Sequence, residues 1–417
     1  MLFHHAVLDN GLEVIAEEND AAFSTSVGVL VKTGARHETS EIAGISHFLE
    51  HLLFKGSETL SAEDVNRRLD EMGADANAFT SEEQTVYYVT ALPEMQSGLL
   101  ELFAELLRPA LRIGDFETEK KVILEEINMY EDQPPFGADE TSRALFFGGH
   151  PLANRVLGSV ESVSALTVET IREYFETRYR PDNIVLVATG RVDFGTFVKQ
   201  AKTMRFSHSS PTETPLLRRV KGRQGTHLIR KESATQQYSL LLSDGPSARD
   251  GDRFAAGILA NILGDDVGSR LFWELADVGL ADSVGIGVCE FLDNGFFLTT
   301  LSCEPELATE NLQMVHNVYL TALRDGISSE ELERSKTKIL SRLVLANERS
   351  RGRLFAVGND WSVCREYRPL SRDLDKVRRV TLDDVHAVLK KYPLTDALLM
   401  SIGPLENLMR GKNLVFS

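Results

Sequence analysis

Cysteine is scarce: Cys289, Cys303 and Cys364 are the only three in 417 residues, and none lies in a CxxC pair. That excludes a disulfide framework and leaves buried thiols as the expectation. Positive charge is in deficit. Lys and Arg total 45 against 62 for Asp and Glu, a formal net charge of -17, and the sequence pI is near 5.1. Phosphate backbones and anionic lipid surfaces are therefore not attracted in general, and nucleic acid is not an expected partner. No stretch approaches the roughly 18 uninterrupted apolar residues of a membrane span, so no membrane partner is expected. The opening residues, MLFHHAVLDNG, carry neither the basic nor the apolar region of a secretion signal. The expectation is a soluble cytoplasmic protein. What remains, 42% hydrophobic and 26% charged residues, is the balance of a chain that folds over most of its length.

The length exceeds one ordinary core of about 100 to 200 residues, so two domains or more are expected. Between two periodic regions, residues 205 to 225 (RFSHSSPTETPLLRRVKGRQG) gather Ser, Thr, two prolines and basic residues, which reads as a linker. The division that follows is 1–205, a linker at 206–224, and 225–417. Both halves run through a similar order of elements, as an old duplication would.

In the first half, strands are predicted at 25–31, 84–90 and 183–188 from their β-branched and aromatic content. Helices are predicted at 61–72, with Ser61 as N-cap, and at 93–107, 115–131 and 168–177. In the second half, strands are predicted at 236–242, 284–291 and 295–302, the last two joined at Leu292-Asp293-Asn294. Helices follow at 305–323 and 329–345. Strands and helices without a strict βαβ rhythm point to an α+β fold: two similar domains, each a largely antiparallel sheet packed with helices.

The chemistry concentrates in GISHFLEHLLF, residues 44–54, which contains H-x-x-E-H. On a helix, residues four apart share a face, so the imidazoles of His47 and His51 can converge on one ion. Glu50 projects near that face and reaches water beside the ion rather than the ion itself. This is the inverted form of H-E-x-x-H that characterises the inverzincins. Catalytic zinc takes three protein ligands and keeps a fourth position open, so one ligand remains to be found. The stretch FETEKKVILEEI, residues 116–127, offers it. Glu119 and Glu126 lie about two turns apart on one face; one can ligate while the other hydrogen-bonds a ligating imidazole. Periodicity leaves Glu125 open as well.

With these residues in place, the sequence resembles the pitrilysin and mitochondrial processing peptidase family of inverzincin metallopeptidases over nearly its whole length. Residues 43–57 (AGISHFLEHLLFKGS) look like the family's metal helix and residues 122–130 (VILEEINMY) like its third-ligand helix. The resemblance implies Zn2+, one per chain, on His47, His51 and Glu126, with Glu50 as general base and Glu119 in the supporting acidic position. Residues 77–85 (NAFTSEEQT) resemble the strand beside bound peptide, which implies that Asn77 and Ala78 contact the substrate backbone. The physics is β-augmentation, in which an extended peptide pairs with a sheet edge. Residues 180–192 (RPDNIVLVATGRV) resemble the strand that closes the first domain.

The second half resembles the family's non-catalytic domain through GSRLF (268–272) and GLA (279–281), and there it departs from type. Active members carry an Arg and a Tyr for the scissile carbonyl and its oxyanion. This chain has Ala276 and Asp282 at those places, with spacing one residue short. A chain of this length resembles half of a four-domain clamshell. The implied function is a zinc-dependent endopeptidase acting on unfolded peptides or flexible segments. It would work as a homodimer or, by preference, as a heterodimer whose related partner supplies the Arg and Tyr. The alternative the family implies is an inactive scaffold or assembly subunit.

Overall fold

The β-branched runs of the first half become the middle of a sheet because they are apolar on both faces. The computed structural model describes residues 1–206 and 218–408. Strands β1 (Leu2–Val7), β2 (Glu13–Glu18), β3 (Thr25–Val31), β4 (Asp75–Thr80), β5 (Thr85–Ala91) and β6 (Ile184–Gly190) form one sheet in the order β1-β2-β6-β3-β5-β4. All pairings are antiparallel except β2 with β6. The two-residue period sorts the central strands. Val27, Val29 and Val31 of β3 and Leu186 and Ala188 of β6 face a core shared with Phe48, Leu49 and Leu52 of the helix Ile45–Leu53. Leu30, Val185 and Val187 face the other way, against Leu354 and Val357 of the helix Ser350–Cys364.

In the second sheet, β7 (Gly225–Arg230), β8 (Gln237–Asp244), β9 (Ser283–Glu290), β10 (Gly295–Cys303) and β11 (Ala397–Gly403) run in the order β7-β11-β8-β10-β9. Only β7 and β11 are parallel. Helices Arg253–Gly264, Ala308–Asp325 and Leu382–Lys391 cover one face. Phe146 and Phe147 of the helix Ala138–Phe147 pack with Leu242, Phe296 and Met400 on the other.

Leaving β1 aside, each sheet has five strands in the order first, fifth, second, fourth, third, with the same single parallel pair. That repeated topology matches the similar order of elements expected of the two halves. In both, a helix follows the second strand. In the first unit this is Ile45–Leu53; in the second it is Arg253–Gly264 (RFAAGILANILG), which contains neither histidine nor carboxylate.

The two compact units are not contiguous in sequence. The first comprises Met1–Asn128, 154–206 and Val344–Pro369; the second comprises Met129–Ala153, 218–343 and 370–408. The expected division at 1–205 and 225–417 therefore misses an exchange: the far face of each sheet is covered by a helix from the opposite half. The physical reason is that β3 and β6 are buried along their whole length, so that sheet needs a second layer. Of the expected linker, residues 207–217 lie outside the described residues. Residues 218–224 belong to the second unit, where Val220 N donates to Asn294 Oδ1 and Gly222 N to Asp244 Oδ1. Of the thiols, only Cys303 is buried, while Cys289 and Cys364 are half-buried. Among the described residues no helix is long and apolar enough to cross a membrane.

Candidate metal centre

The helix Ile45–Leu53 packs Ile45, Phe48, Leu49, Leu52 and Leu53 into the apolar core; His47, itself buried, stands with Glu50 and His51 outside that cluster. The helix Ile113–Asp132 inserts Phe116, Glu119, Ile123 and Ile127. Phe116 stacks on Phe48 with ring centroids 4.9 Å apart, and this apolar contact sets the two helices against each other. The result joins two segments distant in sequence. Glu126 Oε2 lies 3.8 Å from His47 Nε2 and 3.8 Å from His51 Nε2, and the two imidazoles are 4.7 Å apart between centroids. Among the described residues, His47, His51 and Glu126 are the group whose ligand atoms all fall within 4.8 Å of one another. Glu125 is exposed and outside this group, so the choice that periodicity left open falls to Glu126.

The donors fit a tetrahedral ion. Ligand atoms about 2.1 Å from zinc lie roughly 3.4 Å from each other; the two spacings to Glu126 are 3.8 Å, and the histidine-to-histidine spacing, within 4.8 Å, would close on the ion. Burial, with the neighbouring His51, pushes His47 down to about 3, so it is neutral near pH 7 with a lone pair to donate. His51 Nδ1 bonds Glu119 Oε2 at 3.0 Å, and Lys55 Nζ lies 2.7 Å from Glu119 Oε1. With Nδ1 of His51 engaged by the Glu119 carboxyl, Nε2 is the ring nitrogen that faces Glu126. Glu119 thus contacts His51 on the ring nitrogen opposite the one that faces Glu126. Glu119→Ala is expected to weaken zinc binding about 10–100-fold in competition with a chromogenic chelator, while the far-UV circular dichroism is unchanged.

Glu50 is held by a residue to which sequence reasoning assigned no role. Thr80, the last residue of β4, donates its hydroxyl to Glu50 Oε2 at 2.6 Å. Burial raises the carboxyl pKa of Glu50, and the Thr80 hydrogen bond pulls it back. A signal was present: Thr80 falls inside the NAFTSEEQT stretch, although nothing local ties it to a glutamate 30 residues earlier. Asn77 and Ala78 lie on the same strand. β4 is the outermost strand and pairs only with β5 among the described residues, so its other edge is open.

In the second unit, Ala276 ends a short helical turn, Phe272–Ala276, and is partly buried against the apolar core. Asp282 leads into β9, its N–H donating to the Ser302 carbonyl. Arg270 is the nearest preceding arginine in sequence, and it is committed to Glu331, at 2.7 and 3.0 Å, and to the Gly326 carbonyl. It is not free to stand in for the missing Arg.

Comparison with known proteins gives the family and the fold. Residues 13–159 match the family model described as insulinase, peptidase family M16, and residues 165–339 match that of the M16 inactive domain. A Mycobacterium tuberculosis protein named as an uncharacterized zinc protease is 33% identical over 390 residues, 92% of this chain and 89% of that one. A Bacillus subtilis protein of similar name is 29% identical, covering 96% of this chain and 98% of its own. In fold, the chain is similar to the crystal structure of a protease from Helicobacter pylori, with TM-score 0.89, 22% identity and coverage of 96% and 99%.

Proposed function

Because the chain belongs to peptidase family M16, we propose that it is a zinc-dependent endopeptidase in which His47, His51 and Glu126 hold the ion and Glu50 is the general base. The observation that carries this reading is the convergence of three ligand atoms from two helices beside a carboxylate held by Thr80. Zinc bound there would supply the Lewis acidity that polarises a peptide carbonyl and lowers the pKa of water. The chain's own residues do the rest. Glu50 takes a proton from the attacking water and delivers it to the leaving amine. The open edge of β4 pairs with an extended substrate, so main-chain hydrogen bonds supply affinity without demanding a sequence, and unfolded peptides or flexible segments are favoured. Asn77 and Ala78 are the contacts on that edge.

Neither Ala276 nor Asp282 offers the developing oxyanion the side-chain donor that an Arg or a Tyr would, and such a donor contributes on the order of 3 to 4 kcal/mol. We therefore favour a heterodimer in which a related subunit supplies the Arg and Tyr. An inactive scaffold is the competing reading, favoured only by those two positions. The purified chain should bind about one zinc, lose cleavage of a quenched-fluorophore peptide on chelation, and regain it with zinc. Adding a related chain that carries the Arg/Tyr pair should raise the rate. Absence of zinc would sink the peptidase reading, and absence of any gain on mixing would sink the heterodimer.

A further inference from the structure

The metal helix begins without a cap of its own. Its N-cap residue is Gly44, at φ +91, with no side chain to accept the first free N–H groups. Glu38 does this from outside the helix. Its side chain is buried, with Oε2 accepting from Gly44 N at 2.7 Å and Oε1 from Ser46 N at 2.8 Å. Ser46 is held a second time, since its hydroxyl bonds Tyr174 Oη at 2.7 Å, and that hydroxyl bonds Thr33 Oγ1 at 2.8 Å. His47 is the next residue.

The loop that carries Glu38 also grips the substrate hairpin. Ala35 N donates to Ser81 O at 3.2 Å and Arg36 N to Glu82 O at 2.8 Å. The Arg36 side chain pairs with Glu83 at 2.5 Å. Gly34 permits this approach, because a Cβ there would lie 2.1 Å from the Ser81 carbonyl oxygen. One short loop thus ties the turn that follows Thr80 to the helix that carries Glu50, framing the Thr80–Glu50 bond from both ends.

We propose that Glu38 is a positioning residue, a carboxyl cap that fixes the metal helix relative to strand β4. A carboxylate suits the task because a helix N-terminus carries positive partial charge and two N–H groups must be met at once. Burial pushes the carboxyl up to about 7, while the bonds from Ser46 and Gly44 and the Arg178 charge draw it back.

The inference rests on the zinc reading for its first readout, zinc affinity against a chromogenic chelator. Glu38→Gln keeps the shape but replaces one acceptor with an NH2 group, which meets a backbone N–H donor to donor. Zinc binding at least tenfold weaker is expected. Tyr174→Phe removes the other support of Ser46 and leaves both carboxylate bonds, so affinity should stay within about twofold of wild type. Unchanged affinity in Glu38→Gln overturns the proposal, as does an equal loss in both variants, which would mean general loosening rather than loss of a cap. If Glu38→Gln does not fold, Glu38→Asp retains the carboxyl but reaches only one of the two N–H groups. It should bind zinc severalfold more weakly, and wild-type affinity there is equally fatal. Should the wild-type chain bind no zinc, the peptidase reading fails by itself. The cap is then judged by amide exchange over residues 47–51, expected to be faster in Glu38→Gln than in Tyr174→Phe, with equal rates overturning it.

Discussion

Replacing Glu50 with Gln is expected to leave the zinc in place and to lower peptide cleavage by about 10²- to 10⁴-fold, the usual contribution of a positioned general base. The two halves of that expectation have separate structural sources. Glu50 is not among the three converging ligand residues, so a neutral side chain of the same shape should not disturb metal binding. Its Oε2 accepts from Thr80, and the carbonyl oxygen of a glutamine can accept the same bond, so the fold should also survive. What disappears is the proton acceptor. In wild type the raised pKa, caused first by burial, makes Glu50 a stronger base than an exposed glutamate. Metal analysis beside a single-turnover assay checks both halves. A variant that cleaves as fast as wild type would remove Glu50 from the chemistry, and one that has lost its zinc would make it a ligand.

The second large effect is on stability. Arg353 and Glu17, only 3% and 1% exposed, form a two-pronged pair, Nε to Oε1 at 2.7 Å and Nη2 to Oε2 at 2.5 Å. Asn347, the Arg368 carbonyl and the Tyr367 hydroxyl complete the network. This pair fastens the helix Ser350–Cys364 to β2. Removing one partner of such a pair strands the other in a dry interior and costs about 3–5 kcal/mol, whereas replacing both with apolar residues of similar size is often neutral. Arg353→Met should therefore lower the urea midpoint of the first unit sharply, and Glu17→Leu with Arg353→Met should recover most of it. The two tryptophans allow the measurement to be local. Trp361 lies on this helix and bonds Glu13, while Trp273 is in the second unit and 54% exposed. In a Trp273→Phe background, fluorescence reports the first unit. A single variant as stable as wild type would show that the pair holds nothing together.

The candidate ligand group was legible because its logic is local. Histidines four apart, and glutamates seven apart on a second helix, announce shared faces through helical period alone. Only the choice between Glu125 and Glu126 needed the family pattern and then the fold. Strand Thr25–Val31 was legible to the residue, and the helix at Ser61 began where its cap predicts, with Asp64 closing the capping box. Thr80 and Glu38 escaped because each acts through one hydrogen bond or a pair of them across a loop, and no periodicity records that. The helix Ser350–Cys364 escaped for a different reason. Its buried face is Ser350, Arg353, Leu354, Val357 and Gly358. Arginine, serine and glycine interrupt the apolar stripe that a period reading seeks. Gly358 is there for closeness, since a Cβ would lie 2.8 Å from Leu30 Cδ2. With that helix unread, the exchange between halves was unreadable too, and the domain boundaries were drawn at the linker alone.

That exchange constrains how the chain is made. Most of the first sheet has left the ribosome once β6 is synthesised, yet the layer over Leu30, Val185 and Val187 is encoded from Ser350 onward. Until then a nascent chain carries an uncovered apolar sheet face, the kind of surface that chaperones bind and that aggregates when they are scarce. A stop codon between β6 and Ser350 would thus leave that sheet face uncovered. Expressing residues 1–206 alone amounts to making an incomplete object, for which a separately supplied second half would be the natural complement.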